Sequence, residues 1–292
     1  MIEIADPRQM RAWSRDRRAA ARRVGLVPTM GYLHEGHLRL IDRARRVSDD
    51  VVVSVFVNPL QFGPTEDFGR YPRDLPRDRS LVSARGAECL FVPGPDAVYP
   101  QQPVVRLLPG SLGDHLCGPW RPGHFAGVLT VVAKLFHLVE PDVTVFGRKD
   151  AQQAVIIRRM VSDLDFPLEI IVAPTVREAD GLALSSRNAY LIAEERRAAP
   201  ALSLGLTAAH DAFRKGVTAA ADVVAEVRRV VERERLLRLE YVEAVDPDTL
   251  APVGRVAGDT LLALAARVGS TRLIDNIILG DGLAGDEWLD RP

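Results

Sequence analysis

The chain has 292 residues, of which 47% are hydrophobic and 26% are charged, and its formal net charge is -1. This is the composition of a globular protein long enough for two domains, and the charge balance gives no electrostatic reason to expect nucleic acid as a partner. No apolar run approaches the roughly 20 residues of a membrane-spanning helix, and the N-terminus lacks the apolar core of a secretory signal. Two cysteines argue against a disulfide framework, so we expect a reduced, cytoplasmic protein with no membrane partner.

The hydrophobic pattern first predicts a helix, a buried strand and a second helix. The first helix covers residues 7–20 and is entered through an Asp-Pro pair, the order favoured at helix starts. The buried strand covers residues 24–28. Apolar residues at helical spacing from Leu38 then predict a helix to about residue 48.

The joint between this strand and the second helix carries two histidines, His34 and His37. Backbone N–H groups at a helix start have no partner within the helix and carry partial positive charge, so the joint can hold phosphate. The two imidazoles point the same way and can donate to phosphate oxygens, while Gly36 between them lets a ligand approach closely. Surface or capping roles fit an isolated His-x-x-His pair equally well. Zinc is disfavoured, because no third ligand lies close in sequence.

Polar residues follow the ends of further predicted strands. The apolar segment 51–57 is typical of a strand covered on both faces, and Gln61 follows it where parallel sheets bind ligands. Its amide suits a hydroxyl or a carboxylate, although a loop-stabilising role fits equally well. The stretch 64–80 predicts a long loop that leads into a helix. Residues 89–93 and 104–108 predict a third and a fourth strand.

A long apolar helix is predicted from His124, for which we expect a capping role. Residues 142–147 form another predicted strand, and a helix starts after it. Lys149 at that start adds a mobile ammonium to the backbone donors, a combination suited to a polyphosphate. A strand at 168–173 ends the series. Five or six strands that alternate with helices predict a doubly wound parallel sheet.

The pattern changes at Pro174. Residues 175–188 lack the period of a helix or a strand, and their Ser-Ser-Arg triplet can clamp phosphate, although such a string alone is usually an ordinary turn. Two helices and then three strands are predicted after it, at 193–214, 218–234, 236–245, 259–267 and 271–279. This order predicts a smaller α+β domain, and therefore domains at 1–175 and 176–292.

Six motifs form a set along the chain: PTMGYLHEGH at 28–37, VNPLQF at 57–62, YPR at 71–73, RPGHFAGVLTVVAKL at 121–135, FGRKDAQQ at 146–153 and DGLALSSRN at 180–188. Together they resemble the pantothenate synthetase family, also called pantoate beta-alanine ligase. The resemblance spans nearly the whole chain and is far more specific than any single motif. It implies a Rossmann-like fold of the nucleotidyltransferase superfamily, a C-terminal lid domain and a homodimer.

The resemblance also implies a two-step reaction. ATP and pantoate give an enzyme-bound pantoyl adenylate and pyrophosphate, and the amine of beta-alanine then attacks the mixed anhydride to give pantothenate and AMP, with Mg²⁺ assisting. A carboxylate that attacks a triphosphate brings anions together. Positioned cations and hydrogen-bond donors must therefore offset the repulsion.

Site residues follow from the resemblance by position. The implied catalytic set is His37 as proton donor, with His34, Lys149 and Arg187. The implied ATP contacts are Met30, Gly31, Tyr32, Leu33, His34, Glu35, Gly36, His37, Gly147, Arg148, Lys149, Asp150, Val176, Leu184, Ser185, Ser186 and Arg187. Gln61 and Gln153 match the two glutamines of the pantoate and beta-alanine site.

The sequence departs from the family pattern in three places. The family commonly has Glu where Arg148 stands and an aromatic residue where Ala151 stands, so this turn either packs differently or carries more positive charge. Leu184 replaces a common Met. Acidic residues after YPR accompany magnesium in relatives, but Arg77 precedes Asp78 here. We therefore assign no protein ligand to Mg²⁺ and expect the ion mainly on ATP.

Three other functions fit parts of the pattern. A nucleotidyltransferase that adenylylates a phosphorylated substrate would want Arg or Lys at the acceptor site, where Gln61 and Gln153 supply amides. A catalytically silent nucleotide-binding module would not need His34 together with Lys149. An NAD-dependent dehydrogenase is disfavoured, because the first strand-helix turn lacks G-x-G-x-x-G. The ligase interpretation requires His34, Lys149 and Arg187 to act on one triphosphate.

Overall fold

A computed structural model of the chain describes residues 1–283. The chain divides into two compact units, which we call the first and the second unit. The first unit contains Met1–Pro109, Arg121–Gly147 and Ile156–Ala173, and the second contains, among the described residues, Gly110–Trp120, Arg148–Val155 and 174–283. The predicted domain boundary at residues 175/176 stays a prediction. Residues 284–292 of the predicted C-terminal domain lie outside the described residues.

The first unit is built on a parallel sheet. The elements through residue 173 are β1 Ile2–Ile4, α1 Pro7–Ala19, β2 Val24–Thr29, α2 Glu35–Val47, β3 Asp50–Val55, α3 Leu75–Ala84, β4 Cys89–Phe91, α4 Pro95–Val98, α5 His124–Val139, β5 Val143–Gly147, α6 Ala151–Asp163 and β6 Glu169–Ala173. The sheet has the order β1-β4-β3-β2-β5-β6 with parallel pairing throughout. This confirms the predicted doubly wound, Rossmann-like fold.

The strand order identifies where a ligand binds in such a sheet. From β2 the chain continues to β3 on one side, whereas β5 lies on the other side of β2. The carboxyl ends of β2 and β5, at Thr29 and Gly147, therefore flank the point where the strand order reverses. Ligands of open parallel sheets bind beyond such a point.

The predicted strand at residues 104–108 is wrong. Val104, Val105 and Leu108 are 94%, 84% and 75% exposed, and the segment belongs to no strand of the described residues. The place beside β4 is taken by β1, which pairs in the register Ile2 with Cys89. A strand of only three residues shows no period in the sequence, so the hydrophobic pattern did not reveal it.

The second unit contains helices packed on an antiparallel sheet. After Pro174 its elements are α7 Ala193–Ala198, α8 Ala201–Arg214, α9 Ala220–Val231, β7 Leu237–Val245, β8 Leu261–Val268 and β9 Thr271–Ile278, with the sheet order β7-β8-β9. Apolar residues of α8, α9 and the three strands share one core. This confirms the predicted α+β architecture. The predicted helix at 193–214 is two helices, because Pro200 lacks the N–H that a continuous helix needs.

Both cysteines are free and buried, Cys89 in the first unit and Cys117 in the second. Burial raises the pKa of the Cys89 thiol to about 12. Within residues 1–283, no helix combines the length and the apolar character needed to cross a membrane.

Candidate active site

The histidine turn, residues 30–34, connects β2 to α2. His34 is the N-cap residue of α2, and its ring centroid lies 4.0 Å from that of His37. The His34 backbone N–H donates to Nδ1 of His37 at 3.3 Å. Because Nδ1 accepts, a neutral His37 carries its proton on Nε2. Capping and ligand donation are therefore compatible in His37, since each uses a different ring nitrogen.

A buried carboxylate fixes the shape of the histidine turn. The turn passes through left-handed backbone at Gly31 (φ +81°) and Tyr32 (φ +51°). Asp78, from α3, is 1% exposed and accepts the N–H groups of Tyr32 at 2.8 Å and of Leu33 at 2.7 Å. Burial raises the pKa of Asp78, against the lowering effect of these two hydrogen bonds. Both carboxylate oxygens of Asp78 are therefore engaged by the turn.

Gln61 lies in a short turn after β3 and is connected to the histidine turn. Asn58 caps this turn, and its Nδ2 donates to Gln61 Oε1 at 3.1 Å and to the Gly127 carbonyl at 3.1 Å. Gln61 Nε2 in turn donates to Sδ of Met30 at 3.2 Å. A Cβ at Gly127 would clash with the Leu60 carbonyl, so only glycine permits this close approach. The first unit thus brings together Gln61 and Met30, two predicted site residues.

His124 does not cap α5, contrary to its predicted role, because Gly123 is the N-cap residue there. Nε2 of His124 lies 3.0 Å from Nη1 of Arg121, and Nδ1 lies 2.8 Å from the carbonyl oxygen of Gln61. A guanidinium only donates, so Nε2 accepts and Nδ1 carries the proton that binds the Gln61 carbonyl. His124 therefore holds the backbone of a predicted substrate-binding residue.

Glu66 completes this chain of contacts. Its two carboxylate oxygens accept from Nε and Nη2 of Arg121 at 2.7 and 2.6 Å. Burial raises the pKa of Glu66, but the hydrogen bonds and the charge of Arg121 outweigh it, and the pKa of this carboxyl is lowered. The ion pair fixes the guanidinium that donates to His124.

The lysine turn, Arg148–Asp150, precedes α6 and belongs to the second unit. The side-chain amide of Asn276 donates to the Arg148 carbonyl at 3.0 Å and to the Lys149 carbonyl at 2.9 Å. The guanidinium of Arg148 lies 4.0 Å from a carboxylate oxygen of Asp281. The extra positive charge at position 148 therefore has an acidic neighbour within this unit.

The two glutamines that follow the lysine turn have different environments. Gln152 is buried, accepts the Cys117 N–H at 2.9 Å and donates to the carbonyls of Leu112 and His115, each at 2.9 Å. Its amide is used to hold the segment Gly110–Trp120. Gln153 is half-buried, so of the two it is the residue that suits a substrate.

Residues 176–184 form a small hairpin. The Leu184 N–H donates to the Val176 carbonyl at 2.9 Å, and the hairpin turns at Gly181, whose φ is +89°. Ser185 follows as the N-cap of a 3-10 turn, Ser186–Tyr190, and its Oγ accepts the Arg187 N–H at 3.2 Å. The predicted nucleotide contacts on either side of the hairpin thus lie next to each other, although the sequence shows no period here.

A model of the family described as Pantoate-beta-alanine ligase matches residues 3–278. The chain belongs to this family. It is 54% identical over 269 residues to the pantothenate synthetase of Moorella thermoacetica, and the match covers 89% of this chain and 94% of that one. The pantoate-beta-alanine ligase family, the ligase class and the Rossmann-like fold predicted from the sequence are thereby confirmed.

Two solved structures of pantoate-beta-alanine ligases are similar to the chain. The pantothenate synthetase of Thermus thermophilus matches with a TM-score of 0.91 and 45% identity, over 96% of this chain and 99% of that one. The pantoate-beta-alanine ligase of Francisella tularensis, complexed with beta-gamma ATP and beta-alanine, matches with a TM-score of 0.77 and 31% identity, over 96% and 98%.

Three further predicted ATP contacts, Glu35, Gly147 and Ser186, have distinct surroundings. The carboxylate of Glu35 pairs with Arg85 at 2.9 Å and with Arg39 at 3.1 Å, which leaves its backbone N–H as the group suited to phosphate. Gly147 is the last residue of β5, and Ser186 is buried. That His34, Lys149 and Arg187 act on one triphosphate stays a prediction.

The residues that anchor these turns were missed by sequence reasoning. They are Asn58, Glu66, Asp78 and Asn276, together with Asp275, whose two oxygens accept from Nη1 and Nη2 of Arg177 in the hairpin. Each is polar, and each is remote in sequence from at least one segment it holds, so local patterns did not reveal the contact. One signal was present: Asp275 and Asn276 interrupt the apolar stretch from Leu273 to Leu279, where buried polar groups need a specific partner.

Proposed function

We propose that the chain condenses pantoate with beta-alanine at the cost of ATP, through an enzyme-bound pantoyl adenylate. In the first step a pantoate carboxylate oxygen attacks the α-phosphorus of ATP, and the bond to pyrophosphate breaks. In the second step the amine of beta-alanine attacks the acyl carbon, loses a proton, and AMP leaves. The geometry at the start of α2, where His37 keeps Nε2 as its proton-bearing nitrogen, is the observation that carries the proposal.

Within the first unit, we assign His34 and His37 to the phosphates of ATP, with His37 as the proton donor. We assign Gln61 to pantoate, which is supported by its place after β3 and by the hydrogen bond that holds its backbone carbonyl. An amide can recognise a carboxylate or a hydroxyl without adding charge. These groups follow β2 and β3, where a parallel sheet binds its ligand.

Within the second unit, we assign Lys149, Ser185, Ser186 and Arg187 to the charge that builds up on the leaving pyrophosphate. A mobile ammonium and a planar guanidinium both donate to phosphate oxygens. Gln153 completes the binding of pantoate and beta-alanine. Donors that are already aimed at developing charge lower the barrier without reorganisation, and no protein nucleophile is needed.

We further propose that the protein uses Mg²⁺, forms a homodimer and works in the cytoplasm. Within residues 1–283, no group of three or more His, Cys, Asp or Glu side chains is arranged to hold a metal ion, and both oxygens of Asp78 are engaged by backbone N–H groups. We therefore expect Mg²⁺ to arrive on the phosphates of ATP, where it offsets negative charge, and assign it no protein ligand.

The proposal is tested by measuring pyrophosphate and AMP with ATP present and each acceptor omitted in turn. We expect pyrophosphate to require pantoate only, and sustained AMP release to require both pantoate and beta-alanine. AMP release that does not depend on beta-alanine would overturn the ligase assignment. Absence of any pyrophosphate in the complete mixture would favour a silent nucleotide-binding module instead.

A further inference from the structure

β9 carries two adjacent polar residues, Asp275 and Asn276, between the apolar pairs Leu273–Ile274 and Ile277–Ile278. Both are buried, at 2% and 3% exposure. Successive side chains of a strand point to opposite faces of the sheet, so the two residues reach different parts of the second unit. Leu273 and Ile277, which share the face of Asp275, belong to the core formed with the helices.

The side chain of Asn276 holds the backbone of the lysine turn. One amide nitrogen donates to two successive carbonyls, those of Arg148 and Lys149, at 3.0 and 2.9 Å. Both hydrogens of the amide are used, one for each carbonyl. The contact fixes the peptide that bears the Lys149 side chain, and thereby the origin of the ammonium that we assign to the phosphates.

Asp275 holds the hairpin that leads to the Ser-Ser-Arg triplet. Its two oxygens accept from Nη1 and Nη2 of Arg177 at 2.7 and 2.9 Å, in the bidentate geometry that gives both strength and direction. Nη1 of Arg177 also donates to the Gly181 carbonyl at 3.1 Å, across the turn of the hairpin. The side chains of Arg177 and Asp275 are 10% and 2% exposed, so water competes little for this pair.

One dipeptide on a rigid strand therefore connects to both cationic segments of the second unit. We propose that Asp275 and Asn276 are positioning residues that set the distance between Lys149 and the segment Ser185–Arg187, and so determine how tightly the triphosphate of ATP is held. The inference rests on the proposed function, because it takes these segments as the phosphate-binding ones. Neither residue touches the substrate; each acts through the backbone or the guanidinium that it binds.

A purely structural role would predict a different result. If the pair only stabilised the sheet, its loss would lower the free energy of unfolding and leave the binding of each substrate unchanged. A positioning role predicts a selective effect on ATP, because beta-alanine does not bind the triphosphate donors. A displacement of about 1 Å in a reacting group can cost on the order of 10²-fold in rate.

The test replaces Asn276 with Asp, which keeps the shape but sets an oxygen against two carbonyl oxygens. We expect KM for ATP to rise by about 10- to 100-fold, with KM for beta-alanine within about twofold of the parent. Asn276→Ala, which removes the donors without adding repulsion, should show the same selectivity at a smaller size. If Asn276→Asp does not fold, Asn276→Ala provides the test by itself.

Thr260→Val is the matched control. Thr260 is 4% exposed in the same unit, and its hydroxyl accepts the Ala257 N–H at 2.9 Å, remote in sequence from both cationic segments. We expect this variant to lose stability and keep the parent KM for ATP. Equal effects of Thr260→Val and Asn276→Ala on KM at equal loss of melting temperature would overturn the proposal, as would an unchanged KM for ATP in both Asn276 variants.

Direct binding of ATP separates this inference from the proposed function. The dissociation constant of ATP, measured by calorimetry with parent and Asn276→Ala, needs no turnover. We expect it to rise about 10-fold in the variant. If the parent binds ATP but makes no pantothenate, the proposed function fails while this comparison still decides the role of Asn276. An unchanged dissociation constant would count against the positioning role alone.

Discussion

The histidine turn of the first unit and the lysine turn of the second are held by opposite kinds of side chain. In the histidine turn the buried carboxylate of Asp78 accepts two successive backbone N–H groups. In the lysine turn the buried amide of Asn276 donates to two successive carbonyls. Each anchor has the polarity that the exposed backbone groups of its turn require.

This difference affects what each turn can offer to phosphate. The N–H groups of Tyr32 and Leu33 are used by Asp78, so the donors that the histidine turn can aim at phosphate are those of the α2 start and the imidazoles. In the lysine turn the carbonyls are the groups engaged by Asn276, and an ammonium is the main charged donor. The two turns therefore differ in the donors they present: backbone N–H groups and imidazoles in one, an ammonium in the other.

The largest expected effect comes from removing the functional group of either turn. His37→Ala and Lys149→Ala should each lower pyrophosphate release by about 10²- to 10³-fold, the scale for loss of one preorganised donor. Their folds should be intact by circular dichroism. His137→Ala and Lys215→Ala, which change the same residue types at exposed positions, should keep parent rates. Near-normal pyrophosphate release in both turn variants would refute the assigned roles.

Changing the anchor of the histidine turn should have the next largest effect. Asp78→Asn replaces one acceptor by an amide N–H that faces a backbone N–H in a buried site. We expect the free energy of unfolding, from urea denaturation, to fall by about 1–3 kcal/mol, together with the rate of pyrophosphate release.

Asp74→Asn on the same helix is the control for this change. Asp74 accepts the Arg77 N–H at the N-cap of α3, a position that Asn fills as well as Asp does. The control should be nearly as stable as the parent. A parent-like Asp78→Asn variant would mean that the turn holds its left-handed backbone without the carboxylate.

The turn at Gln61 extends the comparison, because the backbone carbonyl of Gln61 accepts a hydrogen bond from His124. Arg121, which is paired with Glu66, in turn donates to His124. Glu66→Gln should lower the free energy of unfolding by about 1 kcal/mol near neutral pH, since hydrogen bonds to charged groups are worth more than neutral ones. The control is Glu226→Gln, in a surface ion pair on α9, which should change it by less than about 0.5 kcal/mol. Thermal unfolding of the parent and of the two variants measures both changes in the free energy of unfolding.

The pH dependence of this difference follows from the lowered pKa of Glu66. A carboxyl with a folded-state pKa below its ordinary 4.5 stabilises the protein above pH 4.5, and the contribution is lost as the pH falls through the folded-state value. The stability gap between parent and Glu66→Gln should therefore be full near neutral pH and close on acidification below 4.5. A gap that widens in acid would contradict the assigned direction.

The sequence was sufficient to predict features that depend on residues close together in the chain. Buried strands, the His34–His37 spacing and the placement of Lys149 after a strand end were visible because apolar runs and the polar residues after them are adjacent. The anchors were not, since Asp78 lies 45 residues from Leu33 and Asn276 lies 127 residues from Lys149. An isolated Asp or Asn looks the same whether it faces solvent or a buried turn.

The wrong strand prediction at residues 104–108 has a different cause, which is competition between segments for one place in the sheet. An apolar run predicts burial only if a sheet has room for another strand, and here β1 occupies the edge beside β4. Hydrophobic pattern alone does not contain that competition. The short β1 was missed and the longer exposed segment was taken for a strand, because length and apolar content favoured the wrong one.

The two cysteines give the molecule one chemical reporter per unit. Cys89 lies inside the parallel sheet and Cys117 in the second unit, and both are buried and free. A thiol-specific reagent can reach either sulfur only after local or global opening. Single-cysteine variants, followed by mass spectrometry during labelling, would thus yield an opening rate for each unit separately, and saturating nucleotide would reveal which unit it protects.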